Sequence, residues 1–114
     1  MAAVTTEQLL RELREVCSGS RLVGRTEERV VDPDVLSVRI HLTLPDTFIN
    51  VFYNVATEKT AFALIQAGRR LYGVDNAKMG WHQHPFEDPE QHESCQPIDF
   101  AEFLAQVEAH YPAK

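Results

Sequence analysis

The sequence is poor in the residues and runs that mark several classes of protein. Only two of its 114 residues are cysteines, Cys17 and Cys95; this is too few for a disulfide framework, and neither belongs to a CxxC pair. No apolar run approaches the roughly 18 residues of a membrane span. The N-terminal stretch has neither the basic region nor the long apolar region of a signal peptide. We therefore expect a cytoplasmic protein that does not enter a membrane.

Basic residues are also scarce. Lysine and arginine together number 11 against 17 acidic residues, which gives a formal net charge of -6. This balance argues against a broad polyanion-binding surface, because nonspecific phosphate binding needs a basic excess. A local basic patch stays possible, as does an enzyme whose positive charge comes from a metal ion or a partner. The chain has no P-loop, GxGxxG or GxSxG motif, so the chemistries that depend on those motifs lack their essential parts.

The overall composition is typical of a single globular domain, which spans residues 1–114. Hydrophobic residues make up 44% of the chain and charged residues 25%, and this length suffices to bury a core. Thr5 and Gln8 form a capping box that predicts an N-terminal helix, and Asp99 and Glu102 form a second that predicts a C-terminal helix. After each box, apolar residues recur at the three- and four-residue spacing of one helix face.

The middle of the chain predicts a sheet. Apolar and polar residues alternate or cluster in short runs separated by turn signals, which favours an antiparallel meander over βαβ units. The predicted strands cover residues 21–31, 36–44, 48–55, 60–65 and 69–76. Residues 77–97 show no period and contain three prolines, so we expect one long irregular connection there, of a kind that is often functional. The expected fold is α+β: about five antiparallel strands with the N- and C-terminal helices packed on one face.

The stretch "DNAKMGWHQHPFEDPEQH", residues 75–92, holds three of the five histidines and the only tryptophan. In extended backbone, His82 and His84 point to the same side. His92 can return after the turn, and Asp75 supplies a carboxylate at a strand end. Such a set suits a first-row divalent metal ion, or general acid–base catalysis by histidines that titrate near neutrality. A third interpretation is that the histidines only hold the loop to the sheet.

Neighbouring residues extend this candidate site. Asn76 follows Asp75 at the strand end and is a candidate for orienting the histidines. Arg70 is a candidate for binding phosphate. Trp81, with Phe86, is a candidate for contacting a substrate or for docking a partner protein, because aromatic anchors flanked by polar residues are typical of binding hot spots.

At "YGVDNAKMGWHQHP" the sequence resembles the TumE-like family of small bacterial and archaeal proteins. Members show a strand that ends in Asp-Asn-Ala and a following histidine-rich segment with an HxH. The resemblance spans about residues 48 to 95, and the matching residues are Asp75, Asn76, Ala77, His82 and His84. Many members carry a further histidine pair where this chain has Lys78 and Met79.

The resemblance implies the toxin half of a toxin–antitoxin pair, with a helix-turn-helix antitoxin as partner. RNA cleavage is a common route for toxins of this size, so RNA is the expected substrate of a ribonuclease centred on the histidines. Two alternatives stay open: a protein-interaction module without catalysis, whose acidic surface suits a basic antitoxin, and a small metal-binding protein of another role. The oligomeric state, including a homodimer, also stays open.

Overall fold

A computed structural model describes residues 4–76 and 80–112 of the chain. Ala77, Lys78 and Met79 of the quoted motif therefore lie outside the described residues. No helix in the described ranges is long and apolar enough to cross a membrane.

Both helices begin at the predicted capping boxes. Helix α1 (Thr6–Ser18) follows Thr5, whose hydroxyl accepts a hydrogen bond from the backbone N–H of Gln8 at 3.1 Å. Helix α2 (Phe100–His110) follows Asp99, whose carboxylate accepts from the backbone N–H of Glu102 at 2.8 Å. In each box the third helical residue reaches back to the backbone N–H of the cap, so two otherwise unpaired N–H groups are satisfied.

The described strands form a single antiparallel sheet in which every strand pairs with the next along the chain. In order they are β1 (Val23–Val31), β2 (Val35–Leu42), β3 (Thr47–Asn54), β4 (Lys59–Gln66), β5 (Arg69–Asp75), β6 (His82–His84) and β7 (Glu93–Ser94). The meander order and the first five strands agree with the prediction from the sequence.

The predicted number of five strands is wrong, because the segment expected to be irregular supplies two more. The "HQH" tripeptide pairs with β5 as β6, and β7 then pairs with β6. Strands of two and three residues are too short to show a period in the sequence. They form because an unpaired edge of β5 would leave backbone N–H and C=O groups without partners.

One face of the sheet carries the core, and we call it the inner face. Its residues alternate along each strand, as Leu36, Val38, Ile40 and Leu42 do in β2, where all four are buried. Both helices add side chains to this core, including Leu13 from α1 and Phe103 from α2. The ring of Phe62 in β4 lies 5.3 Å from that of Phe103. The helices therefore share one face of the sheet.

The opposite face, which we call the outer face, carries the intervening residues. Strand register arranges them in rows, since cross-strand partners share a face. One row runs from β2 to β6 through Ser37, Phe52, Ala61, Asp75 and His82, and the adjacent row through Arg39, Asn50, Ala63, Gly73 and His84. Both rows therefore end at a histidine of the candidate site, the first at His82 and the second at His84.

Candidate functional site

Strand pairing sets the positions of the two HxH histidines. His82 lies opposite Asp75 and His84 lies opposite Gly73 on the neighbouring strand. Both imidazoles lie on the outer face, with ring centroids 5.5 Å apart. Gln83 between them pairs with Val74, which belongs to the buried core, so its side chain lies on the inner face.

His92 completes a triangle of imidazoles. Its ring centroid lies 5.2 Å from that of His82 and 4.3 Å from that of His84. One ligand nitrogen from each ring lies within 4.8 Å of the other two. His84 is buried, His82 is half-buried and His92 is exposed. The cluster is therefore closed on the side of the sheet and open on the side of His92.

Backbone carbonyls orient the two HxH rings. Nδ1 of His84 lies 3.1 Å from the carbonyl oxygen of Pro89, and Nδ1 of His82 lies 3.3 Å from that of Gly80. A carbonyl can only accept, so Nδ1 of His84 carries the proton and donates it, and in neutral His84 the lone pair then resides on Nε2. His82 has an acceptor on each side, because its Nε2 also lies 3.1 Å from the Asp75 carboxylate. Metal-binding histidines characteristically use one ring nitrogen in this way and coordinate with the other.

Both Nε2 atoms face one carboxylate. Nε2 of His82 lies 3.1 Å from Oδ1 of Asp75, and Nε2 of His84 lies 4.0 Å from Oδ2 of the same residue. The three imidazoles therefore bring one ligand nitrogen each to the same part of the outer face, and the carboxylate of Asp75 lies beside two of them. Three imidazole nitrogens form a donor set that Zn²⁺ and similar ions prefer.

Burial gives His84 a different character from an exposed histidine. Removal from water lowers its pKa below the usual range, and the nearby Arg70 guanidinium and His92 imidazole lower it further, while the Pro89 carbonyl and Asp75 oppose the shift. The ring is thus kept neutral, which is the state that a metal ligand or a general base requires.

Arg70 reaches the site because Gly73 has no side chain. Its guanidinium donates to the Pro89 carbonyl at 3.4 Å, so Arg70 and His84 share an acceptor. A Cβ atom at Gly73 would lie 3.2 Å from Cδ of Arg70 and 3.6 Å from Cδ2 of His84. Sequence reasoning missed Gly73, although a glycine inside a strand signals that another group approaches the backbone closely.

The structure does not bring the side chains of Asn76 and Trp81 to the histidines. The backbone N–H of Thr60 donates to Oδ1 of Asn76, and Nδ2 of Asn76 donates to the carbonyl of Glu58, both at 2.8 Å. The amide of Asn76 therefore joins the end of β5 to the start of β4. Trp81 precedes His82 and lies on the inner face, half-buried beside Phe62 and Phe100 at the core.

Phe86, the second aromatic residue of the predicted docking segment, is also used within the fold. Its ring stacks on Tyr72 with a centroid distance of 4.5 Å and on His110 at 3.9 Å. This column connects the segment between β6 and β7 to helix α2. The aromatic residues thus fix that segment, while Asp75, His82, His84, His92 and Arg70 form the site.

The chain matches no protein-family model, no curated protein and no solved structure.

Proposed function

We propose that the chain is a ribonuclease that binds a first-row divalent metal ion through His82, His84 and His92. The observation that carries this proposal is the convergence of the Nε2 atoms of His82 and His84 on Asp75, with each Nδ1 held by a backbone carbonyl. Rings fixed in this way need little reorganisation to coordinate an ion, and the exposed side of the cluster leaves room for a substrate.

Each residue has a distinct role in this proposal. A divalent ion, when bound, polarises a phosphoryl oxygen and lowers the pKa of a coordinated water molecule. The chain's own groups position the reaction: Asp75 either holds the Nε2 side of His82 or adds a fourth ligand. The guanidinium of Arg70 stabilises negative charge that develops on the phosphate. Burial of His84 on the sheet keeps bulk water from its side of the site.

Phosphate binding in an acidic chain has to be local. The net charge of -6 repels a polyanion at long range, so attraction comes from the metal ion and from the arginines of the outer face. The resemblance to the TumE-like family extends the proposal to a biological role. In this role the protein is the toxin of a toxin–antitoxin pair in the cytoplasm, and its acidic surface binds a basic helix-turn-helix antitoxin.

The test combines metal analysis with RNA cleavage. Purified protein is depleted of metal with EDTA, titrated with Zn²⁺ or Mn²⁺ by calorimetry, and incubated with unstructured RNA. We expect one ion per chain and cleavage only after metal is restored. His84→Ala should lose both properties.

His41→Ala is the matched control for this test. His41 also lies on the outer face, but its Nε2 pairs with Glu27 at 2.9 Å on β1, away from the cluster. The variant should bind metal and cleave RNA as the unmodified protein does. Cleavage that survives in His84→Ala, or equal losses in both variants, would contradict the proposal.

One observation favours a second candidate, a metal-free ribonuclease. Both ring nitrogens of His82 face hydrogen-bond acceptors, Gly80 on one side and Asp75 on the other, and a doubly protonated ring would donate to both. His82 would then act as the acid and neutral His84 as the base. Full activity in EDTA, with loss of activity in His82→Ala, would establish this candidate in place of the metal enzyme.

A further inference from the structure

We propose that the outer face binds RNA as a single strand, with one unpaired base stacked on Phe52 beside the histidine cluster. This inference deepens the proposed ribonuclease function and rests on it. It specifies the substrate as unpaired RNA and identifies a residue, outside the histidine segment, that positions it.

Strand register places Phe52 directly across from the site. Phe52 pairs with Ala61, Ala61 pairs with Asp75, and all three share the outer face. Adjacent strands are about 4.8 Å apart, so the backbone of Phe52 lies roughly 10 Å from that of Asp75. The side chain between them on the outer face is the single methyl group of Ala61. A base on Phe52 would therefore lie next to a phosphate at the cluster.

Phe52 differs from the other phenylalanine of β3 on this face. The ring of Phe48 is already covered by the guanidinium of Arg39, which lies 4.1 Å from its centroid. Within the described ranges, no aromatic ring or cationic group packs on Phe52. Phe52 is half-buried, so it is held by its neighbours yet accessible from solvent. Such a ring provides a stacking surface that tolerates any base.

Two arginines of the outer face lie on strands to either side of β3, and both are displaced from the row of Phe52 towards Phe48. Arg70 lies by the histidine cluster, and Arg39 on β2 is fixed by donating from Nε to Oδ1 of Asn50 at 3.2 Å. An RNA strand that stacks one base on Phe52 and continues towards Phe48 can bring its phosphates to these guanidinium groups. Two localised cations and one stacking ring suit a flexible single strand. They do not suit a duplex, because the bases of A-form RNA are stacked on one another and unavailable to the ring.

The test measures RNA binding separately from cleavage. An end-labelled, unstructured single-stranded RNA is titrated in EDTA, where the metal enzyme leaves it intact, and binding is followed by fluorescence anisotropy. Phe52→Leu keeps an apolar side chain but removes the flat ring, and we expect binding about 10- to 100-fold weaker. Phe48→Leu removes the ring beneath Arg39 but not the stacking surface for a base, so it should weaken binding less than Phe52→Leu does. Phe52→Trp should bind at least as tightly, and duplex RNA of the same sequence should bind more weakly.

Zn²⁺ affinity, measured by calorimetry on the same variants, should not change. If Phe52→Leu does not fold, Ala61→Val tests the same surface, because its added methyl groups narrow the space beside the ring. Equal effects of Phe52→Leu and Phe48→Leu, or an unmodified protein that binds no single-stranded RNA, would overturn the inference. If single-stranded RNA binds in a Phe52-dependent way but is never cleaved, only the ribonuclease proposal is contradicted. If RNA is cleaved and Phe52→Leu changes neither binding nor cleavage, only the inference about Phe52 is contradicted.

Discussion

Asp75 and His82 are cross-strand partners, and their side chains meet at 3.1 Å between Oδ1 and Nε2. The contact is set by backbone pairing, so the carboxylate and the imidazole are positioned by the sheet and not by a flexible loop. His84 occupies the next outer-face position on β6, opposite Gly73. The rigid part of the site is therefore an edge of the sheet, to which His92 is added from the segment before β7.

Asp75→Asn tests the contribution of this carboxylate. The amide has nearly the same shape but carries no charge and offers only one acceptor atom. We expect Zn²⁺ affinity and RNA cleavage to fall by about 10- to 100-fold, the usual effect of losing a group that supports metal ligands, with little change in Tm. Asp88→Asn, at an exposed position of the segment before β7, is the control and should change neither quantity. Unaltered metal affinity in Asp75→Asn would remove Asp75 from the site.

Gly73→Ala tests the packing that brings Arg70 to the site. The added methyl group would lie 3.2 Å from Arg70 Cδ, closer than an ordinary contact, and 3.4 Å from the carbonyl oxygen of Phe62. We expect Arg70 to move away, with KM for RNA raised several-fold and a stability loss of about 1 kcal/mol, at the low end for overpacking. The measurements are steady-state cleavage and thermal unfolding. Gly19→Ala, where the nearest atom would be 3.8 Å away, should leave KM unchanged; a matching change there would point to a general effect.

The elements with strong local signals could be predicted from the sequence. Capping boxes specify where a helix begins through side chains three residues apart, and the alternation in β2 specifies a buried face without knowledge of the partner strands. Both features appear in the structure. The placement of His82 and His84 on the same face could be predicted in the same way, because residues two apart in a strand lie on one face of the sheet.

The rest of the site depends on contacts that are distant in sequence. β6 exists because β5 offers an unpaired edge, and no local pattern in three residues reports that edge. The inward position of Trp81 follows from the same register. Trp81 directly precedes His82, and successive residues of a strand lie on opposite faces of the sheet. His92 joins the cluster through a turn whose geometry depends on Pro89 and on the stacking of Phe86. These are tertiary effects, which propensities and motifs do not contain.

Asn76→Ala separates a structural role from a catalytic one. The Asn76 side chain pairs with the Thr60 N–H and the Glu58 carbonyl, so its removal leaves two backbone groups without these partners. We expect a loss of about 1–3 kcal/mol in the free energy of unfolding, measured by urea denaturation. Zn²⁺ affinity and the KM for RNA should be retained at temperatures well below Tm. A fall in kcat without loss of stability would instead support the predicted role of Asn76 in orienting the histidines.

The ionisation of Cys17 makes the stability of the fold depend on pH in the alkaline range. Its thiol is buried against the core, and burial raises its pKa from 9.0 to about 11. Because the folded chain holds this proton more tightly than the unfolded chain, the stabilisation is fully present below pH 9 and is lost as the pH rises from about 9 towards 11. The part contributed by Cys17 should be on the order of 1 kcal/mol or less at pH 10, after allowance for solvent screening.

The measurement that isolates this contribution is urea denaturation at a series of pH values for three proteins. Cys17→Ala lowers stability at every pH through the cavity it leaves, but it has no thiol to ionise. Its free energy of unfolding should therefore decline less steeply above pH 9 than that of the unmodified protein. Cys95→Ala is the control at the other, less buried cysteine. Since burial also raises the pKa of Cys95, a smaller change of slope is expected there. Parallel curves for Cys17→Ala and the unmodified protein would show that ionisation of Cys17 does not limit stability in base.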